Sequence, residues 1–210
     1  MLRRACACVG RLQSPDLGPQ PSLGTAWLVR DDLAVTNRHV TATFAERLAG
    51  GSAAVTLDLL AELGSDATRP RRVVAVVYEA DDHDLAFVRL APPAAPTPTL
   101  ALALDHVPGD RVAVIGYPSR NIAHYDPAHV DRMFGDRFDV KRLAPGVLTA
   151  VSTTRIDHDC TTLGGNSGSP LVDLADGAVV GVHYGGAGRF VVNHAVPAGL
   201  VAERLAGLPR

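Results

Sequence analysis

The heptad Gly-Gly-Asn-Ser-Gly-Ser-Pro at 164–170 sets a hydroxyl among residues small enough for the backbone to turn sharply. A serine hydroxyl is a poor nucleophile until a base takes its proton and donors stabilise the oxyanion that its attack creates. A turn centred on Ser167 can aim the amides of Gly165 and Ser167 at one point beside the hydroxyl. The missing side chain at Gly165 leaves room for a substrate carbonyl. Histidine suits the role of base because it takes and returns a proton near neutral pH. His39, in Thr-Asn-Arg-His-Val (36–40), follows the short apolar strand Leu33–Val35 and precedes a helical pattern, so it can be held at the edge of a cleft. Asp84 stands where an acidic stretch meets the apolar run Leu85–Leu90. A carboxylate there can be partly buried and accept the second N–H of a histidine, fixing its tautomer and orientation. Each element also has a plain structural reading: a glycine-rich turn, a surface histidine, a strand-capping aspartate. His83 is a rival base.

The chain order His…Asp…Ser separates this arrangement from two other serine architectures, which run Asp…His…Ser and Ser…Asp…His. Two further motifs fail on single residues and a third is absent. A Gly-x-Ser-x-Gly elbow needs glycine at 169, where Ser169 stands. A Ser-x-x-Lys dyad needs a serine at 138, but Phe138 precedes Lys141, the only lysine. No His-Glu-x-x-His occurs. His124, Asp126, His129 and Asp131 could be grouped as metal ligands, but they read more simply as solvated loop residues, and no metal or other cofactor is expected.

The elements that must position these residues are mostly short strands between Gly, Pro, Asp and Asn. Candidates are Thr25–Arg30, Leu33–Thr36, Ala53–Leu57, Arg72–Tyr78 and Leu85–Leu90, then Arg111–Gly116, Gly146–Thr153, Pro170–Asp173, Val179–Tyr184 and Phe190–Ala195. Between the two groups lies residues 91–99, where four prolines exclude a helix or a central strand and indicate a linker. Helical spacing is found at Thr41–Leu48 and over 198–207. Many strands and few helices indicate an all-β chain, a sandwich or barrels. Residues 118–145 are polar, carry both charge signs and lack alternation, which predicts a long functional loop, a lid or a docking point.

Composition narrows the function. The 210 residues fit one domain or two small ones sharing a cleft, and 47% hydrophobic with 20% charged residues is an ordinary folded globule. A net charge of −2 argues against capture of nucleic acid or of an anionic membrane. Cys6, Cys8 and Cys160 form no disulfide framework and read as free thiols in a reducing compartment. The apolar run Ala5–Gly10 is too short for a signal core, and no segment approaches a membrane span, so the chain is expected in the cytoplasm.

Five motifs together carry a resemblance: Gly-Thr-Ala-Trp-Leu-Val (24–29), Thr-Asn-Arg-His-Val (36–40), residues 82–90, the heptad 164–170 and Gly-Val-His-Tyr-Gly-Gly (181–186). They resemble the trypsin-like serine peptidases, and most closely their bacterial V8-like, glutamyl-endopeptidase branch. The resemblance implies His39, Asp84 and Ser167 as catalytic triad and the amides of Gly165 and Ser167 as oxyanion hole. It implies two six-stranded antiparallel β-barrels: one over 1–98 carrying His39 and Asp84, one over 99–210 carrying Ser167 and the specificity pocket. A cleft lies between them and a short helix closes the chain. In that branch a hydroxyl before the glycines and a histidine on the following strand contact an acidic side chain at P1, the substrate residue before the cleaved bond. Thr162 and His183 match those positions, and Tyr184 and Gly185 follow on the same strand. A hydroxyl and an imidazole suit a carboxylate. Asn166 stands where trypsin-type zymogens carry an aspartate, so an N-terminal ion-pair switch is not expected. The function implied is a serine endopeptidase acting on protein or peptide substrates, by limited cleavage of an intracellular target, with a regulatory partner docking on 118–145. The alternative is a non-catalytic binding module of the same fold.

Overall fold

The computed structural model describes residues 1–18, 22–120, 126–187 and 192–209. The first half folds as β1 (Val9–Gln13), β2 (Ser22–Arg30), β3 (Leu33–Thr36), β4 (Thr56–Asp58), β5 (Pro70–Glu79) and β6 (Ala86–Leu90). The second half folds as β7 (Arg111–Gly116), β8 (Arg142–Val151), β9 (Ile156–His158), β10 (Pro170–Asp173), β11 (Val179–Ala187) and β12 (Val192–Pro197). Each set closes into an antiparallel barrel, in the order β1-β2-β3-β6-β5-β4 and, with the same connectivity, β7-β8-β9-β12-β11-β10. The expected all-β architecture of two six-stranded barrels is therefore present.

Alternation along the strands explains why the buried runs look continuous in sequence. On β2, Ala26 and Leu28 join the interior of the first barrel with Ala34, Leu57 and Val88. Trp27 between them points the other way, with Leu33, Val35 and Phe87. On β7, Val112 and Val114 fill the second barrel with Leu148, Leu171 and Val180, while Ala113 and Ile115 face outward. The outward sets of both barrels meet in one cluster around Trp27, which is fully buried. Period-2 strands apolar on both faces thus build three cores, two inside the barrels and one between them. Each large side chain so buried contributes roughly 1.5–3 kcal/mol.

Several elements differ from the sequence reading. The strands β1 and β9 are new; both are short, and β1 carries Gly10, Arg11 and Gln13 among its five residues. Gly10 lets β1 approach β4, since a Cβ there would lie 2.7 Å from Leu57 Cδ1. The helix expected over Thr41–Leu48 is two single turns, α2 (Arg38–Thr41) and α3 (Ala45–Ala49), with buried Phe44 between them at φ −138°. A further helix, α1 (Leu2–Ala7), precedes β1, and α5 (Ala198–Ala206) matches the expected terminal helix.

The stretch 118–145 is not one long loop. Residues 121–125 lie outside the described residues, but Pro127–Phe134 forms α4 and Arg142 opens β8. Asp126 caps α4 by accepting the amide of Ala128 at 3.1 Å, Pro127 opens it and Gly135 ends it with φ +62°. These are strong start and stop signals, masked in the sequence by the surrounding charge. Val130 and Phe134 on α4 pack with Leu163 into a small separate core. Among the described residues no helix is long and apolar enough to cross a membrane.

Candidate active site

His39 follows β3 directly, on the first turn of α2. Asp84 precedes β6, the strand paired with β3, with Val35 opposite Phe87 and Thr36 opposite Ala86. Pairing of those strands therefore brings the two residues together. The carboxylate grips the histidine at two points: Oδ1 accepts the His39 amide at 2.9 Å and Oδ2 lies 2.5 Å from Nδ1. Asn37 fixes the other end by donating Nδ2 to the Asp84 carbonyl at 2.7 Å. Burial by itself pushes the Asp84 carboxyl up, but hydrogen bonds from the His39 ring and amide and from the Arg38 amide outweigh it and hold the group below its ordinary range. An ionised Asp84 assigns the ring hydrogen to Nδ1 and leaves Nε2 as a proton acceptor. The rival His83 lies 3.6 Å from Asp82, not against Asp84.

Ser167 sits on the turn between residues 164 and 168 and is tied to the first barrel through Thr25. The Thr25 amide donates to the Ser167 carbonyl at 2.9 Å. Its hydroxyl donates to the Gly165 carbonyl at 2.8 Å and accepts the Tyr117 amide at 3.2 Å. Thr36 Oγ1 in turn donates to the Thr25 carbonyl at 2.8 Å. Gly24 marks the same junction: a Cβ there would sit 3.0 Å from Val40, the residue after His39, and 3.1 Å from the Ser167 carbonyl. Gly168, at φ +85°, rests so closely on β2 that a Cβ would lie 2.1 Å from the Thr25 carbonyl. Thr25 is fully buried and joins the histidine-bearing barrel to the serine turn.

The amides of Gly165 and Ser167 have no backbone acceptor among the described residues, whereas the Asn166 amide between them donates to Leu163 at 3.1 Å. Two free N–H groups beside a serine are what an oxyanion site requires. Gly165 has a different reason for being glycine from the one the sequence suggested. Its φ is +89°, and a Cβ would lie 2.3 Å from the Tyr117 carbonyl, so neighbouring backbone occupies the space of a side chain. Asn166 is buried and directs its Nδ2 to the Leu163 carbonyl at 3.3 Å.

The four residues expected to meet substrate lie along β11 and the turn before Ser167. Thr162 is buried and donates its hydroxyl to Asn193 Oδ1 at 2.8 Å. That orientation is fixed because Asn193 Nδ2 donates to the Cys160 carbonyl at 2.7 Å. The Thr162 hydrogen is therefore already engaged. His183 is also buried, and its Nδ1 lies 3.2 Å from Nε2 of His158. Burial pushes His183 well below the ordinary imidazole range, and the nearby His158, His194 and His39 push it further. Burial likewise lowers His158 to about 4, against the opposing charge of Asp159. Both rings are neutral. His158 Nδ1 is buried without a partner among the described residues. A bare ring nitrogen is more readily left unpaired than an N–H. His158 thus carries its hydrogen on Nε2 and donates it to His183 Nδ1, and His183 keeps its own on Nε2. Tyr184 occupies a bulge between the pairs His183–Ala195 and Gly185–His194, with its ring 5.9 Å from that of His194. A Cβ on Gly185 would meet open space.

Thr25, Ser119, His158 and Asn193 escaped the sequence reading. Only Thr25 lay within a recognised motif; the others act through contacts between distant segments that no local pattern announces. Among the described residues no three His, Cys, Asp or Glu side chains could hold a metal ion; His124 lies outside them.

Two packed six-stranded barrels, the first carrying a histidine–aspartate pair and the second a serine on a glycine-rich turn, have the architecture of a trypsin-like peptidase. The family model of the trypsin-like peptidase domain matches residues 24–182, and the chain belongs to this family of serine proteases. A probable serine protease from Lysobacter enzymogenes is 33% identical over 227 residues, covering 89% of this chain. The match takes in 59% of that relative, so the chain spans about three-fifths of its length. The crystal structure of Deg5 superposes with a TM-score of 0.69 at 21% identity, covering 96% of this chain and 88% of the other. An inactive serine-to-alanine mutant of Rv3671c from M. tuberculosis H37Rv gives 0.66 at 23% identity, covering 98% and 88%. At these identities the two structures speak to the fold.

Proposed function

We propose that this chain is a serine endopeptidase that cleaves proteins through an acyl-enzyme. Ser167 Oγ attacks the scissile carbonyl while His39 Nε2 takes its proton, and Asp84 holds the resulting imidazolium. The amides of Gly165 and Ser167 receive the oxyanion. The imidazolium then protonates the leaving amine, and water attacks the acyl group with His39 again as base. The observation that carries this reading is the two-point grip of Asp84 on the ring and amide of His39.

The proposed preference is for an acidic P1 residue, with His183 as the group that receives it. The neutral ring offers Nε2–H to a carboxylate because His158 holds the other nitrogen. The fully engaged hydroxyl of Thr162 leaves it to shape the pocket rather than to donate. Action inside the cell is the setting in which unpaired Cys6, Cys8 and Cys160 would stay reduced.

Digestion of a denatured proteome followed by mapping of the new termini tests both parts. Wild type is expected to generate termini after Glu and Asp, and Ser167→Ala to generate none. Equal activity of Ser167→Ala overturns the catalytic assignment, and equal cleavage after Ala, Leu and Arg overturns the pocket assignment.

A further inference from the structure

The orientation of one oxyanion donor is set from outside the serine turn. In a trans peptide the C=O and N–H point in opposite directions. The peptide that carries the Gly165 amide has the Gly164 carbonyl at its other end. That carbonyl accepts the amide of Ser119 at 2.7 Å. Whatever holds the Gly164 carbonyl toward Ser119 therefore aims the Gly165 N–H away from it. The Ser167 amide is aimed in the same way but from within the turn, since the Asn166 carbonyl accepts the Ser169 amide at 3.0 Å. One donor is thus self-contained and the other depends on a separate segment.

That segment is firmly anchored. The Pro118 carbonyl accepts the Asp139 amide at 2.8 Å, and the Asp139 carbonyl accepts Arg11 Nη1 from β1 at 2.7 Å. The Lys141 amide donates to the Ala61 carbonyl at 3.0 Å. Between these ties α4 packs Val130 and Phe134 on Leu163, the residue before Gly164. Arg142 holds the end of that helix by donating to the Phe134 carbonyl at 2.6 Å. The backbone from Tyr117 to Ser119 lies directly against Gly165, with Ser119 N 2.9 Å from where a Cβ would stand. The Asn166 amide closes the turn around this peptide by donating to the Leu163 carbonyl at 3.1 Å, and Ser119 N is the donor to the Gly164 carbonyl itself among the described residues.

We infer that Ser119 is a positioning residue: its backbone N–H, held in place by the α4 segment, fixes the Gly164–Gly165 peptide in the orientation that offers the Gly165 amide to the oxyanion. This rests on the peptidase reading above. Without the strut the Leu163–Asn166 bond still closes the turn, but nothing holds the Gly164 carbonyl toward Ser119; the central peptide can flip within the turn, and the site then keeps only the Ser167 donor. Binding of the ground-state substrate does not depend on that amide, whereas stabilisation of the tetrahedral intermediate does.

Ser119→Pro removes the N–H and Ser119→Ala keeps it, so the pair separates the backbone bond from the hydroxyl. In the full chain, Ser119→Pro is expected to lower kcat about 10²–10³-fold with KM within twofold, the loss typical of one oxyanion donor. Inhibition by a peptide aldehyde, which forms a tetrahedral adduct, weakens in parallel, and Ser119→Ala behaves as wild type. Phe134→Ala, which thins the packing beneath Leu163, serves if Ser119→Pro does not fold; about a tenfold loss in kcat at constant KM is expected. An active wild type with kcat unchanged in folded Ser119→Pro, or in folded Phe134→Ala where the proline variant is unfolded, overturns the positioning role alone. A rise in KM that accounts for the whole loss does the same. A folded wild type with no turnover and no serine labelling overturns the peptidase reading, and this inference with it.

Discussion

His39 and His183 are both histidines of one site, and their surroundings are opposite. The His39 side chain is 49% exposed and is gripped by a carboxylate. His183 is 2% exposed and faces a second imidazole that is itself fully buried. In the first, a carboxylate lies against Nδ1 and fixes the ring. The second opposes protonation and fixes a neutral donor instead. In the proposed mechanism one residue type thus supplies proton transfer at one place and hydrogen-bond geometry at the other, and the choice is made by neighbours rather than by the residue.

The largest effects should fall on the exposed histidine. His39→Ala is expected to reduce kcat on the order of 10⁶-fold and Asp84→Asn about 10⁴-fold, with a loss of activity far larger than the loss of stability from breaking the pair accounts for. Steady-state kinetics beside a melting curve checks this; a loss of activity that tracks unfolding would dissolve the distinction between the two histidines.

The buried pair should instead govern acid stability. His158 and His183 bind a proton more weakly folded than unfolded. Below the ordinary imidazole value the unfolded chain is therefore the better proton acceptor. Stability falls as pH drops from about 6.5 toward 4, at most by roughly 1.4 kcal/mol per pH unit for each ring. Asp84 works in the same direction further down: its lowered value gives stability that is complete above the ordinary carboxylate range and lost as pH falls through its folded value. Denaturant titration across this range should show a shallower slope for His158→Phe than for wild type. An unchanged slope would mean that the pair is not what the acid limb reports.

Smaller, and sharper in sign, are the effects on specificity. His183→Leu is expected to cut the preference for Glu over Leu at P1 about tenfold, equivalent to one hydrogen bond of about 1.4 kcal/mol. Thr162→Val, by contrast, should leave that preference intact and lower stability by about 1–3 kcal/mol, because buried Asn193 Oδ1 loses its donor. Peptide panels varied only at P1 distinguish the two. A reversal, with Thr162→Val erasing the preference, would hand the carboxylate to the hydroxyl.

Much of this architecture was legible because strands buried on both faces stand out as short apolar runs between Gly, Pro, Asp and Asn, and the loop motifs keep functional residues in short contiguous runs. The β3–β6 pairing that sets Asp84 on His39 joins two apolar strands flanked by such runs. Elements too short to show a period, such as β9 over Ile156–His158, were not legible. Nor were contacts made by backbone alone: nothing in Ser119 or Gly164 as residue types announces that one amide meets the other's carbonyl. His158, between Asp157 and Asp159, reads as a polar surface residue until the β9–β12 pairing buries it opposite Asn193. α4 was hidden by its charge, although its Asp-Pro start and glycine stop were in plain view.

Labelling by a fluorophosphonate followed by peptide mapping decides whether Ser167 is a nucleophile activated by His39. A single adduct is expected on Ser167 of the wild-type chain, absent from Ser167→Ala and strongly slowed in His39→Ala. A folded wild-type chain that takes no label, or takes it on another residue, would contradict it.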